Sequence, residues 1–211
     1  TIAPEEVMSR KVFDIICIGE AEQTIIHLIN NLKNKKSINK IKNLWIRDNK
    51  TKKVHKNPLN KLIQNLDSLP FPDRELFDYK QYLKWNHGTA TFISTRGCPF
   101  KCSYCINHFL MNMYGIKGYV RFRSINHLFE EIKQVLNKYE CVVKNIEFYD
   151  DTFTLDKKYC LELMEAYKQA TDIPFMCNVN LLSFDEEIAG ALKSAGCSEI
   201  KVGIESGSER I

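Results

Sequence analysis

Three cysteines lie within eight residues of the stretch STRGCPFKCSYCINH, which covers positions 94–108. They are Cys98, Cys102 and Cys105, and their spacing is C-x3-C-x2-C. A structural zinc ion binds four protein ligands, and here the fourth would have to be His108 or a remote residue. An iron–sulfur cube held by only three thiolates instead keeps one iron open, and an open metal position is typical of catalytic sites.

The composition indicates a globular protein in a reducing compartment. Of the 211 residues, 44% are hydrophobic and 27% are charged, and no apolar run reaches the length of about 18 residues that a membrane span needs. The N-terminus lacks the basic-then-apolar pattern of a signal peptide, so we expect a cytoplasmic protein. The five other cysteines occur singly in apolar patterns and are expected to be small buried side chains. Since the chain begins without Met inside an apparent domain, we expect a fragment.

The first part of the chain predicts a small α/β unit followed by a linker. FDIICIGE, at residues 13–20, predicts a buried strand, and a helical apolar pattern follows at once. A hairpin is expected with its turn near Asp48 and Asn49. Pro70 and Pro72 then favour an extended linker. The lysine-rich stretch at residues 33–61 is interpreted as a solvated face, because the net charge of +4 does not by itself imply a nucleic-acid partner.

The second part predicts strands that alternate with helices, which is typical of a parallel sheet. The expected strands are residues 89–95, 145–151, 174–180 and 199–206. The carboxyl ends of parallel strands form the edge where ligands bind in βα folds. Besides the cysteines, the polar residues expected at this edge are Asp150, Asp151, Asn178, Asn180, Glu205 and Ser206.

Several helix ends can also be predicted. Ser124 is expected to cap the helix after it, and Ser183 with Glu186 is expected to form a capping box. Glu20 and Glu22 should begin a helix, where the helix dipole favours acidic residues, and a role near cobalamin is the alternative. The same dipole offers a purely structural interpretation of Asp151.

The motifs together resemble those of the radical S-adenosylmethionine (radical SAM) enzymes. The cysteine loop follows the first strand of a βα series, FYDDTFTLD resembles the second-strand motif, and GCSEIKVGIESGSERI resembles the fourth-strand motif. The upstream residues resemble the tail of the cobalamin-binding domain of the B12-dependent class. The resemblance implies an α/β fold: the C-terminal part of a Rossmann-like cobalamin-binding domain at residues 1–66, a linker at 67–87, and the first four βα units of a partial, TIM-like (βα)6 barrel at 88–211.

The resemblance also implies roles for the residues of the cysteine loop. Cys98, Cys102 and Cys105 would hold a 4Fe-4S cluster, whose open iron would chelate the amino and carboxylate groups of SAM. One electron would then cleave SAM to methionine and a 5′-deoxyadenosyl radical, which removes a hydrogen from the substrate. Gly97 would let the backbone pass close to the cluster. Tyr104 would lie near the adenine.

Acidic residues at the ends of the later strands are expected to contact SAM. Asp150 and Asp151 occupy the place where the family contacts the methionine ammonium, and Glu205 and Ser206 the place where it contacts the ribose or the carboxylate. Carboxylates suit an ammonium group and a cationic sulfonium. A one-electron donor such as flavodoxin or ferredoxin is the implied partner, whereas nucleic acid and membrane partners are not expected.

The sequence departs from the family in two ways and leaves alternatives open. The Asp-x-His-x-x-Gly signature of the cobalamin domain is absent, and the chain ends just past the fourth strand. Cobalamin-dependent methyl transfer, ring formation and methylthiolation all stay open, with a tRNA methylthiotransferase as the nearest alternative. A non-enzymatic metal module and a basic RNA-binding domain are the alternatives outside this class.

Overall fold

The computed structural model describes residues 3–48, 50–115, 117–204 and 206–208. The chain forms two compact units. One comprises Thr1–Gln64 and Pro99–Tyr119, and the other comprises Asn65–Cys98 and Val120–Ile211. The cysteine loop therefore contributes Cys98 to the second unit and the two later cysteines to the first.

The helices are, in chain order, α1 Pro4–Ser9, α2 Glu22–Lys33, α3 Tyr79–Trp85, α4 Ile106–Tyr114, α5 Ile125–Tyr139, α6 Lys157–Ala170 and α7 Glu186–Ser194. The strands are β1 Ile15–Cys17, β2 Leu44–Arg47, β3 Val54–Lys56, β4 Thr89–Phe92, β5 Thr95–Arg96, β6 Arg121–Phe122, β7 Asn145–Phe148, β8 Phe175–Val179 and β9 Cys197–Val202. Among the described residues, no helix combines the length and the apolar character that crossing a membrane requires.

The first unit is built on an antiparallel sheet with the order β1-β2-β3. The predicted strand, helix and hairpin are confirmed as β1, α2 and the β2–β3 pair. The sequence did not predict that β1 pairs with β2, where Ile16 lies opposite Trp45. One face of this sheet is buried, as shown by the low exposure of Ile16, Leu44 and Ile46.

Gly19, just after β1, lies against Tyr114, the last residue of α4. Its φ of +79° is a conformation that side chains disfavour, and an added Cβ would lie 1.4 Å from the Tyr114 hydroxyl oxygen. The backbone N–H of Glu20 donates to that hydroxyl at 3.3 Å, while Glu20 Oε2 accepts from the Ile63 N–H at 3.1 Å. The last residue of α4 is thus fixed against the turn after β1.

The second unit contains the predicted parallel sheet, with the order β4-β7-β8-β9. Buried residues alternate with more exposed ones along β7 and β8, and the buried face packs on α5, α6 and α7. Phe148 lies at the centre of this core, with its ring centroid 4.7 Å from that of Phe153 and 5.6 Å from that of Phe175. The first strand is shorter than predicted, because Thr95 and Arg96 instead pair antiparallel with Phe122 and Arg121.

The helix ends confirm one predicted cap and correct another. Ser124 accepts from the His127 N–H at 3.2 Å, as predicted. The predicted cap at Ser183 is wrong: Asp185 caps α7 by accepting from the Ile188 N–H at 2.9 Å. Ser183 is not free for this role, because it ends a short 3-10 helix.

The predictions about acidic residues at the beginning of helices are also correct in part only. Glu22 begins α2, as predicted, but the prediction is wrong for Glu20, which precedes the helix and accepts from the Ile63 N–H. Asp151, in contrast, does not lie at a helix start, because α6 begins at Lys157 and is capped by Asp156. The purely structural interpretation of Asp151 as a helix-dipole partner is therefore wrong.

Candidate functional site

The two later cysteines lie in a turn that leads directly into a helix. The Cys105 N–H donates to the Cys102 carbonyl at 3.0 Å, and Cys105 is the N-cap residue of α4. Both cysteines are half-buried free thiols. The unpaired N–H groups and the dipole at a helix start favour negative charge. This placement puts Cys105 at the positive end of the α4 dipole.

A buried amide that the sequence did not single out lies beside the Cys105 sulfur. Asn107, in the first turn of α4, is 6% exposed. Its Nδ2 lies 3.9 Å from Cys105 Sγ, and its Oδ1 accepts from the Tyr119 hydroxyl at 2.7 Å. The NH₂ group of the Asn107 amide therefore faces the Cys105 sulfur.

Cys98 belongs to the second unit and lies next to the loop after β7. Its side chain is buried, and Gly97 before it has a φ of +91°. Cys98 Sγ lies 3.7 Å from Thr152 Oγ1, and this hydroxyl donates to the Asp151 carbonyl at 2.9 Å. The first cysteine is thus positioned by the stretch FYDDTF.

Asp150 is not an exposed ligand but a buried acceptor that fixes the turn after β4. It is 1% exposed, and its carboxylate accepts from the N–H and hydroxyl of both Ser94 and Thr95. Burial raises the pKa of Asp150, and this effect outweighs the hydrogen bonds from Thr95 and Ser94, which lower it. Protein donors surround this carboxylate, and the contact of Asp150 with the methionine ammonium stays a prediction.

We expect Asp150→Ala to lower the free energy of unfolding by about 2–4 kcal/mol, because it leaves several buried donors without an acceptor. Ser94 is 0% exposed and Thr95 is 3% exposed, so water cannot replace the lost carboxylate. The neighbouring Asp151→Ala is the matched control and should change stability by less than about 0.5 kcal/mol. Urea unfolding of both variants measures the difference, and equal effects would contradict the assigned role.

Asp151 is the carboxylate that faces solvent at the strand ends. Its side chain is exposed and has no hydrogen-bond or ion-pair partner in the part of the chain that the structure describes. The Asn178 amide donates to the Asp150 carbonyl at 2.9 Å, and the Asn180 side chain accepts from the Leu182 N–H at 2.9 Å. Both asparagines therefore support the loops at this edge, and Asp151 is left available for a ligand.

The structure describes two of the three other predicted contact residues, Tyr104 and Ser206. Tyr104 is 70% exposed. Ser206 accepts from the Ser208 N–H at 3.0 Å, and Glu205 lies outside the described residues. No group of three His, Cys, Asp or Glu side chains could hold a single metal ion within the described ranges. A cluster offers a separate iron to each thiolate, so its ligands do not need to converge on one point.

The sheet face opposite the helices is polar and carries an ion pair. Lys201 on β9 contacts Glu147 on β7, and the Glu147 side chain is only 12% exposed. Tyr149 follows on the same face of β7 and is 60% exposed. A few polar groups placed on such a face can orient a ligand that binds there.

Comparison with known proteins connects these features to a family. The model of the Radical SAM superfamily matches residues 92–211, which is more than half of the chain. An uncharacterized methyltransferase of Pyrococcus horikoshii is 33% identical over 213 residues, which cover 100% of this chain and 44% of that protein. The cytidylyl-2-hydroxyethylphosphonate methyltransferase of Streptomyces wedmorensis is 22% identical over 239 residues, which cover 99% of this chain and 43% of that protein. The chain thus spans less than half the length of these relatives.

Two solved structures share the fold. The cobalamin-dependent radical SAM enzyme OxsB, with aqua-cobalamin and S-adenosylmethionine bound, superposes with a TM-score of 0.78 at 20% identity, over 99% of this chain and 30% of that one. The radical SAM methyltransferase TsrM of Kitasatospora setae, with tryptophan and a SAM analogue bound, gives 0.77 at 15% identity, over 99% of this chain and 40% of that one. The predicted α/β fold with a partial barrel is confirmed, and the chain belongs to the radical SAM superfamily.

Proposed function

We propose that this chain holds the cluster and the S-adenosylmethionine of a cobalamin-dependent radical SAM methyltransferase. The observation that carries the proposal is the C-x3-C-x2-C loop directly after the first strand of the parallel sheet, within the residues that match the family. The relatives described above are named methyltransferases, which favours methyl transfer over methylthiolation. Cobalamin in the OxsB structure supports cobalamin as a second cofactor.

The cysteines fit a 4Fe-4S cluster by their chemistry. Cys98, Cys102 and Cys105 are free thiols, and three thiolates leave one iron open for SAM. Once bound, the cluster supplies the single electron that cleaves SAM into methionine and a 5′-deoxyadenosyl radical. A donor protein such as flavodoxin or ferredoxin would deliver this electron.

The surrounding residues would bind and orient SAM. Asp151 is the carboxylate that we assign to the methionine ammonium group, because it is exposed and has no described partner. Tyr104 would lie beside the adenine, and Ser206 with Glu205 would contact the ribose or the carboxylate. Asp150 would act indirectly, by fixing the turn that leads to Cys98.

Product analysis of the full-length protein tests this function. The anaerobically reconstituted and reduced protein should convert SAM to methionine and 5′-deoxyadenosine. A methyl group taken from a second SAM leaves S-adenosylhomocysteine, so methyl transfer predicts this product as well when cobalamin and substrate are present. A protein that contains the cluster but forms neither 5′-deoxyadenosine nor S-adenosylhomocysteine under reducing conditions would contradict the proposal.

We expect Asp151→Asn to weaken the binding of SAM to the cluster-loaded protein about tenfold to a hundredfold, because a charge-assisted hydrogen bond contributes about 1.5–3 kcal/mol. Asp172→Asn is the matched control, since Asp172 is an exposed carboxylate located between α6 and β8. Equilibrium dialysis with radiolabelled SAM measures both dissociation constants. Equal dissociation constants for the two variants would exclude the assigned contact.

A further inference from the structure

The hydrogen bonds around Asn107 form a short buried chain that ends at the Cys105 sulfur. Asn107 is 6% exposed and Tyr119 is 4% exposed, so the protein rather than water satisfies these groups. The Tyr119 hydroxyl donates to Asn107 Oδ1 at 2.7 Å, and Asn107 Nδ2 lies 3.9 Å from Cys105 Sγ. This amide is the only hydrogen-bond partner of the Cys105 sulfur among the described residues.

The chemistry of the amide fixes the direction of this contact. A thiolate sulfur accepts hydrogen bonds and repels an amide oxygen, so only the NH₂ group can face it favourably. Tyr119 reinforces this orientation, because its hydroxyl donates to the oxygen at the other end of the amide. An asparagine that is buried and held at both ends cannot turn away without losing two hydrogen bonds.

We propose that Asn107, positioned by Tyr119, donates a hydrogen bond to Cys105 that raises the reduction potential of the bound cluster. This inference rests on the proposed function, because it requires the cluster. An added electron makes the cluster more negative, and an N–H donor stabilises the more negative state more strongly. Asn107 is therefore a positioning residue that makes the cluster easier to reduce.

Thr152 offers a useful contrast at Cys98. Its oxygen lies 3.7 Å from Cys98 Sγ, which is a distance similar to that of the Asn107 contact. A hydroxyl has a single proton, however, and Thr152 donates it to the Asp151 carbonyl at 2.9 Å. Asn107 has two amide protons and no competing acceptor among its described contacts. We therefore expect the effect on the potential at Asn107 and not at Thr152.

The test is a redox titration of the reconstituted full-length protein, monitored by EPR without SAM. At a fixed solution potential, Asn107→Leu should lower the ratio of reduced to oxidised cluster about threefold to tenfold, where tenfold corresponds to about 59 mV for one electron. The double variant Asn107→Leu/Tyr119→Phe removes both ends of the hydrogen bond between Asn107 and Tyr119, so it should show the same shift if the single variant folds poorly. Thr152→Val is the matched control and should change the ratio less than twofold.

The outcomes separate this inference from the proposed function. A lower ratio in the Asn107 variants, with full iron content and an unchanged Thr152→Val, supports the inference. A cluster that loads fully but keeps its potential in the Asn107 variants would overturn the inference and leave the proposed function intact. An equal shift in Thr152→Val would also overturn the specific role of Asn107. A failure of the unsubstituted protein to bind a cluster would overturn the proposed function.

Discussion

Cys102→Ala is expected to abolish cluster binding by the reconstituted protein, and with it all cleavage of SAM. A cluster left with two protein thiolates would expose two irons, and such a cluster is lost or degraded. We therefore expect iron and sulfide to fall from about four of each per chain to near background. Cys98→Ala and Cys105→Ala should have the same effect, because the proposed site has no spare ligand.

The chain provides a matched control for this experiment. Cys141 lies outside the motif and is an exposed free cysteine, so the prediction that it is buried is wrong. Cys141→Ala should therefore retain the iron, the sulfide and the visible absorption of the unsubstituted protein. Iron and sulfide analysis after anaerobic reconstitution measures all four variants. A cluster of full iron content in Cys102→Ala would contradict the assignment of the three cysteines.

Glu131→Ala is expected to lower the free energy of unfolding by about 3–5 kcal/mol, because it breaks a buried ion-pair network. The Glu131 side chain is 3% exposed and accepts from Arg74 at 2.7 Å and from Arg123 at 2.5 Å, one guanidinium at each oxygen. Removal of this carboxylate leaves two guanidinium groups, which are 13% and 11% exposed, without their counter-charge. The loss corresponds to a fall in melting temperature of about 10 °C for a chain of this size.

This network holds the linker against the first strand of the sheet. Arg74 in the linker also donates to the Thr91 carbonyl at 3.1 Å, and Arg123 donates to the Ile93 carbonyl at 3.1 Å. The neighbouring Glu130→Ala is the matched control, since Glu130 is exposed, and it should cost less than about 0.5 kcal/mol. Calorimetry compares the two variants, and a small loss of stability in Glu131→Ala would show that the network contributes little.

The pattern of apolar residues was sufficient to predict the central architecture. Buried runs such as the one around Phe148 predicted the strands, and the helical patterns between them predicted parallel pairing. The sequence also predicted the cap at Ser124, because Ser124 is the one side-chain acceptor directly before α5. At α7 several acceptors lie close together, and the sequence alone did not show that Asp185 would replace Ser183 as the cap.

The two adjacent carboxylates show which part of the site needed the structure. Asp150 is buried and Asp151 is exposed, although the sequence suggested the same role for both. The alternation of β7 continues past its end, so Asp150 shares the buried side with Phe148, while Asp151 follows Tyr149 on the exposed side. This signal was present in the sequence. The contact between Asn107 and Cys105 had no such signal, because it depends on how α4 begins.

If three cysteines leave one iron open, SAM must bind to the cluster itself. The EPR spectrum of the anaerobically reconstituted and reduced protein, recorded with and without SAM, tests this binding. We expect a 4Fe-4S signal that changes when SAM is added and that is absent in Cys102→Ala. A cluster signal that stays the same at saturating SAM would contradict the open iron, and stoichiometric zinc in place of iron would contradict the cluster itself.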